Sequence, residues 1–380
     1  VYKRQAADGP KSSFAAVFVL KIVVILQNLY YNTRKNSQKG VQTMKQWKKS
    51  AVLAVPMALL CSVSAFAGQW EEEGVTWKYL QDDGSYAADV WQWIDGDGDG
   101  LAECYHFNED GWLDLNTVVD NWIVNSKGQW TMGGNVQQLD LGATAEEIGA
   151  FFVAANAKAS GLMDMDADID AVMKFTVDQE SMDMLLDMNM KMQGVYSGNM
   201  KILYDMALQA DGESMTMTMF YKDGYMYTEM DGTKMKMPMD MDEMMAQSMA
   251  LSSSLSFAAD ETYGMTNLKL YHNGEAKTVT YDMDMAELNT AVQEMMGLMG
   301  MSASDLGYEY QVDRASGTVH INENGYADRS SVSMDMSMEF LGIPMGMELD
   351  MDVTIQNPGQ PVSITLPSTE GYMDITSMTE

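Results

Sequence analysis

Cysteine is almost missing from this chain, with Cys61 and Cys104 the two examples in 380 residues. That excludes a disulfide scaffold, a zinc ribbon and a cysteine-held iron–sulfur cluster. Histidine is nearly as rare, and three residues leave little general-base chemistry near neutral pH. No Gly-x-Ser-x-Gly elbow, no His-Glu-x-x-His pair and no phosphate loop occurs. The reading is therefore non-enzymatic. Basic residues are also few: 23 Lys and Arg stand against 55 Asp and Glu, for a net charge of −32. Nucleic-acid recognition needs clustered Lys and Arg, so that class of partner is excluded. What the chain has in excess is methionine, at forty residues.

The apolar runs near the start are too short to span a bilayer. Met44-Lys45-Gln46-Trp47-Lys48-Lys49 opens a basic segment, Ser50 to Phe66 is apolar or small, and Ala65-Phe66-Ala67 closes it. This is a secretory signal peptide over 44–67, with cleavage after Ala67. Leu60 before Cys61 is bulky where lipoprotein processing wants a small residue, which argues against lipidation. Residues 1–43 lie upstream of a complete signal and read as an extension outside the true frame or without fixed structure. Removing residues 1–67 takes away ten basic side chains and one acidic one, so the mature chain is more anionic still. That keeps a secreted protein soluble.

Two alphabets follow. All eight tryptophans precede residue 131, and 37 of the forty methionines follow residue 160, which marks a domain boundary near Gly133-Gly134. Residues 68–133 alternate short aromatic strands with turns. Thr76-Trp77-Lys78-Tyr79-Leu80 precedes Asp82-Asp83-Gly84, Tyr105-His106-Phe107 precedes Asn108-Glu109-Asp110-Gly111, and Trp122-Ile123-Val124 precedes Asn125-Ser126-Lys127-Gly128. These are three imperfect β-hairpin units of about 20 to 30 residues, each too small to bury its own rings. With Val90-Trp91-Gln92-Trp93, they resemble the choline-binding, or cell-wall-binding, repeats of Gram-positive surface proteins. The resemblance implies a wall-associated protein, a wall polymer such as teichoic acid as partner, and aromatic cages for quaternary ammonium groups. The cage positions it implies are Trp77, Trp91, Trp93, Tyr105 and Phe107. Lys78 and His106 stand where an aromatic is common, and Val90 replaces a glycine.

Within this region Asp95-Gly96-Asp97-Gly98-Asp99-Gly100-Leu101-Ala102-Glu103 places carboxylates at positions 1, 3, 5 and 9 with glycine at 6. Alternate residues of a tight loop point inward, so Asp95, Asp97, Asp99, the Leu101 position and Glu103 are candidate Ca²⁺ ligands. His106 occupies position 12, where an EF-hand needs glutamate, and the flanks are strand-like. The expectation is a Ca²⁺ clasp on a hairpin.

After a linker at 134–142, the Met-rich domain (143–380) opens with the capping box Thr144-Ala145-Glu146-Glu147 and an amphipathic helix through Ile148, Phe151, Phe152 and Ala155. The period then becomes two, as in Met188-Asn189-Met190-Lys191-Met192, Met215-Thr216-Met217-Thr218-Met219 and Met334-Asp335-Met336-Ser337-Met338. In strands this puts methionine on one face and polar residues on the other. Asp240–Ser254 and Ala286–Met301 have helical character. The expected fold is multidomain: a small β-hairpin repeat module, then an α+β domain with a large curved antiparallel sheet, a half-barrel, capped by helices. Its opening helix, Tyr221-Lys222-Asp223-Gly224-Tyr225-Met226-Tyr227 and the ending Asn357-Pro358-Gly359-Gln360-Pro361 resemble the LolA-like lipoprotein-carrier superfamily. The resemblance implies a cavity for an acyl chain or another hydrophobic ligand and no catalytic residues. A cavity of about 300–1,000 Å³ under the two central helices is expected on that basis. Unbranched thioether chains repack easily around varied apolar ligands. Two other readings stay open: a Cu(I) binder, since Met-x-Met sets two soft ligands about 7 Å apart on one strand face, and a purely structural surface domain.

Overall fold

The computed structural model describes residues 62–63, 68–177, 180–195, 199–241, 243, 262–298, 308–340 and 343–374. Apart from Ser62–Val63, the signal segment lies outside them, as does most of Asp240–Ser254. No helix among the described residues is long and apolar enough to cross a membrane.

The first strands are β1 (Ser62–Val63), β2 (Gln69–Glu73), β3 (Thr76–Leu80), β4 (Val90–Ile94), β5 (Leu101–Phe107), β6 (Thr117–Val119), β7 (Trp122–Val124), β8 (Trp130–Met132) and β9 (Asn135–Asp140). Turn chemistry joins them. The Asn108 side chain accepts from the N–H groups of Asp110 and Trp112, and Asn125 repeats this with Lys127 and Gln129. Glycines 84, 111 and 128 supply the left-handed backbone that each turn requires, with φ of 83°, 79° and 80°.

Helix α1 (Ala145–Ser160) follows, starting at the Thr144 capping box. Then come β10 (Met165–Val177), β11 (Glu180–Gln193), β12 (Lys201–Ala210), β13 (Glu213–Lys222), β14 (Tyr225–Met230), β15 (Thr233–Pro238), β16 (Met265–Asn273) and β17 (Ala276–Met283). Helix α2 (Met285–Leu298) precedes β18 (Tyr308–Ile321), β19 (Ala327–Phe340), β20 (Ile343–Ile355) and the two-residue β21 (Met373–Asp374). Antiparallel pairing runs β15-β14-β13-β12-β11-β10 and, because β10 also pairs with β20, continues β20-β19-β18-β17-β16. An open curved sheet of this order is compatible with a half-barrel.

The expected fold class is corrected here. Among the described residues, strands of both regions belong to one 19-stranded sheet, and β2–β3 forms a separate ladder. The segment expected as a linker is β9, which pairs with β8, β5 and β16. Gln138 has a partner on each side, Glu103 and His272. The chain is mainly β, and two helices are present among the described residues: α1 against β16 and β19, and α2 against β18. The α+β layering with a helical cap does not hold. Short polar Asn-Val-Gln-Gln-Leu-Asp carries no strong period, yet an edge strand recruits it through backbone bonds that any sequence can make.

Period two sorts the side chains. On β10, Met165, Ala167, Ile169, Ala171 and Met173 are buried while Asp166, Asp168 and Asp170 face away. Their cross-strand partners on β11 are Met192, Met190, Met188, Leu186 and Met184, so the methionines meet methionines. Met347, Leu349 and Met351 of β20 complete this core. Helix α1 buries Ile148, Phe152 and Ala155 against Leu270, Val279, Tyr281, Val319 and Ile321. Helix α2 packs Val292 on Val312 and Ala315. Its Asn289 side chain both donates to the Val312 carbonyl (2.9 Å) and accepts from the Val312 N–H (2.8 Å), satisfying the backbone at a bulge in β18.

Candidate functional site

A cavity of about 130 Å³ opens between the C-terminal half of α1 and the methionine face. Met165, Ala167, Ile169, Met190, Met192, Met351, Val353 and Ile355 line its sheet side, and Asn156, Ala159, Ser160 and Leu162 its helix side. Small residues on α1 leave the space: at Ala159 the helix offers only a methyl group where a leucine would fill the gap. Two contacts fix the helix over it. The Lys158 ammonium donates to the Asn324 carbonyl and lies 4.3 Å from the Tyr326 ring centre, which ties α1 to the β18–β19 turn. Beyond Gly161, the Asp164 carboxylate accepts from the N–H groups of Gly194 (2.8 Å) and Val362 (3.0 Å), and these donors hold its pKa below the usual value. This cavity is smaller than the volume expected and lies under the opening helix; most of the stretch Asp240–Ser254, under which a cavity was also expected, lies outside the described residues. Its volume is close to that of an engineered apolar cavity that takes up benzene. It suits a ring or a short stretch of alkyl chain.

The five aromatic-cage candidates do not converge. Trp91 and Trp93 lie on one face of the β4–β5 hairpin, where Trp93 packs with Cys104, Trp130 and Tyr271. Tyr105 and Phe107 lie on the other face, with Trp77 and Tyr79. The register explains the split: Trp91 is opposite His106 and Trp93 opposite Cys104, while Tyr105 is opposite Gln92. Residues one apart on a strand cannot share a face. Trp93 and Phe107 are 1% and 0% exposed, so both rings are spent on packing. Trp70 organises the second cluster, with ring centres 4.9 Å from Tyr105 and 5.1 Å from Tyr79. Sequence reading passed over Trp70 because its strand, Gln-Trp-Glu-Glu-Glu, is otherwise acidic.

The Asp95–Glu103 loop behaves differently. One carboxylate oxygen each of Asp95, Asp97 and Asp99 lies within 4.8 Å of the others. The loop's own N–H groups hold them: Gly98 and Gly100 donate to Asp95, and Leu101 donates to Asp99. Three carboxylates on a glycine-permitted turn are hard oxygen donors, the type that Ca²⁺ takes in sets of six to eight. Glu103 does not join them. It accepts from Gln138 of β9 at 3.0 Å, and burial followed by the charges of Asp97 and Asp99 raises its pKa against that bond. Leu101 lies at the start of β5, paired with Asp140.

Each histidine meets an aspartate: His106 with Asp114 (2.6 Å), His272 with Asp140 (3.1 Å) and His320 with Asp328 (2.6 Å). The second pair links β16 to β9. Burial opposes ionisation of Asp140, but the His272 bond and the N–H groups of Ala143 and Gly142 outweigh it, and the pKa is lowered.

A family model described as a family of unknown function, DUF6612, matches residues 145–369. No curated protein matches the chain. Among solved structures, lipoprotein LppX of Mycobacterium tuberculosis is 11% identical with a TM-score of 0.33, over 58% of this chain and all of that one. LprF from Mycobacterium bovis is 14% identical with a TM-score of 0.29, over 60% of this chain and all of that one. A DUF1329 family protein from Desulfovibrio piger is 9% identical with a TM-score of 0.20, over 58% of this chain and 94% of that one.

Proposed function

The chain belongs to DUF6612, a family of unknown function, and we propose that its Met-faced sheet is a non-catalytic binder of apolar ligands such as a lipid or an acyl group. The observation that carries this is the cavity under α1, walled by Met165, Met190, Met192 and Met351. Thioether chains are flexible and polarisable, so they reshape around different apolar guests at low cost. Asn156 and Ser160 on α1 offer polar contacts for the far end of an amphipathic ligand. Titration with a fluorescent fatty-acid probe tests it, beside native mass spectrometry for co-purified lipid. Ala159→Leu should cost the probe at least about tenfold in affinity while leaving the melting temperature within a few degrees, since filling space does not remove packing. Equal probe binding by both proteins would overturn the assignment to this cavity.

The same four methionines support a second reading, Cu(I) held by soft thioethers. A copper adduct under reducing conditions, lost when Met165 and Met190 are replaced by leucine, distinguishes it from the first. For the hairpin region we propose a Ca²⁺ clasp at Asp95, Asp97 and Asp99, and retention of the secreted protein at the cell surface on a wall polymer. The second role rests on the repeat pattern, and sedimentation of the intact chain with purified wall tests it.

A further inference from the structure

Alanine stands on both walls of the cavity under α1. Ala167 of β10 sits between Met190 of β11 and Ile355 of β20 and is 1% exposed, and Ala159 lies on the helix side. Short side chains on each wall, with long ones around them, leave the space open. Its 130 Å³ is well below the volume of about 300–1,000 Å³ that drug-sized ligands occupy, and close to that of a cavity that takes one benzene. A long acyl chain overruns it, while a single six-membered ring fits.

The wall chemistry separates one kind of ring from another. Met165, Met190 and Met351 line the cavity and are 6%, 3% and 3% exposed, and Met192 pairs with Met165 across β10–β11. A thioether sulfur is drawn to the edge of an aromatic ring and has no such attraction to a saturated one. That difference is worth about twofold to tenfold in affinity per contact.

The polar groups narrow the guest further. Asn156 and Ser160 are one turn apart on α1 and share a face. Ser330 of β19 stands opposite Val353, which packs on the methionine core, so its hydroxyl is on the cavity side. Asp328 and Arg329 also line the cavity, but neither charge serves a guest. His320 holds Asp328 at 2.6 Å, and Arg329 stands opposite His320 and Thr354, on the sheet's other face. Neutral donors and acceptors remain. They suit a hydroxyl and give a buried carboxylate no opposite charge.

Resting on the cavity's role as an apolar-ligand site, we propose that it selects a single aromatic ring bearing one neutral hydroxyl, a small phenol. The methionine sulfurs recognise the ring, and Asn156, Ser160 and Ser330 recognise the hydroxyl.

The test uses the full chain labelled with ε-¹³C-methionine and two probes, 4-methylphenol and 4-methylcyclohexanol. These share a skeleton and a hydroxyl and differ in aromaticity. In NMR titrations 4-methylphenol should shift the Met165, Met190 and Met351 methyl signals by its ring current. It should bind at least about fivefold more tightly than 4-methylcyclohexanol. Replacing Met165 and Met190 by leucine nearly conserves volume and should bring that ratio below about twofold. Met190→Leu alone serves if the double variant does not fold by circular dichroism, and should lower the ratio at least about twofold. Equal affinity for the two probes, or an unchanged ratio in the folded leucine variant, overturns the proposal. A fluorescent fatty acid that binds, with 4-methylphenol neither displacing it nor shifting a methionine methyl, overturns the phenol selectivity and leaves the apolar-ligand role standing. If neither the fatty acid nor the phenol binds, both fall.

Discussion

At the level of single residues, the aspartates divide into those that hold something and those that repel. Asp170 stands opposite Asp187 on one side and Asp352 on the other, an arrangement that destabilises a sheet. Burial, then the charges of Asp187, Asp168 and Asp352, raises its pKa above the ordinary 3.8. A carboxyl whose folded-state pKa is raised costs stability in full above that pKa. The cost fades as pH falls through it and is gone below the unfolded value. Asp170→Asn should therefore raise the melting temperature at neutral pH and leave it unchanged near about pH 3, as thermal scans across pH would show. Asp95, Asp97 and Asp99 repel too, until a cation joins them. If Ca²⁺ binds there, it stabilises the folded state by mass action. Chelation should lower the melting temperature of the intact protein, and Asp97→Ala should remove that sensitivity. Superimposable curves with and without chelator would refute the clasp.

At the level of elements, the sheet's open ends are covered by pieces of chain that look like connectors. Strand β9 covers β16. At the other end β21 adds to β15 in parallel, with Met235 beside Met373. The tail leading to it buries Ile364 and sets Tyr372 edge-on to Phe220 and Tyr227, at 5.8 and 5.1 Å. Phe220 lies off the methionine face, since Tyr204, which faces the core, is opposite Met219, yet it is fully buried. Tyr372→Ala should cost about 1–3 kcal/mol by urea denaturation, from two edge-to-face pairs of about 0.5–1.5 kcal/mol each. A loss below about 0.5 kcal/mol would mean the tail only rests there.

At the level of the whole molecule, one sheet has an apolar methionine side and an anionic side. On the second side Asp187, Asp170 and Asp352 stand one strand apart across β11, β10 and β20. Strand spacing of about 5 Å is shorter than the Debye length of about 10 Å at 0.1 M salt, so repulsion is incompletely screened there. Raising potassium chloride from about 0.01 M to about 0.5 M should raise the melting temperature, and a flat or falling response would show that the carboxylates are already compensated.

Much of this was legible beforehand. The alternation of Met with Asp, Thr and Lys marked the strands and their two faces, because side-chain direction on a strand depends only on position along it. The Thr144 capping box marked α1, and the spacing of Asp95, Asp97 and Asp99 marked three carboxylates on one loop, because both are set by neighbours within a few residues. Register across strands is not local. It decided that Trp93 and Tyr105 look to opposite sides, that Glu103 turns to Gln138, and that Lys78 lies over Trp112. Nor could sequence show that β9 joins two composition zones into one sheet, or that the cavity sits under α1. Backbone pairing reads no side chain, and a cavity is a space that separate elements leave between them; both come into being only when the chain closes on itself.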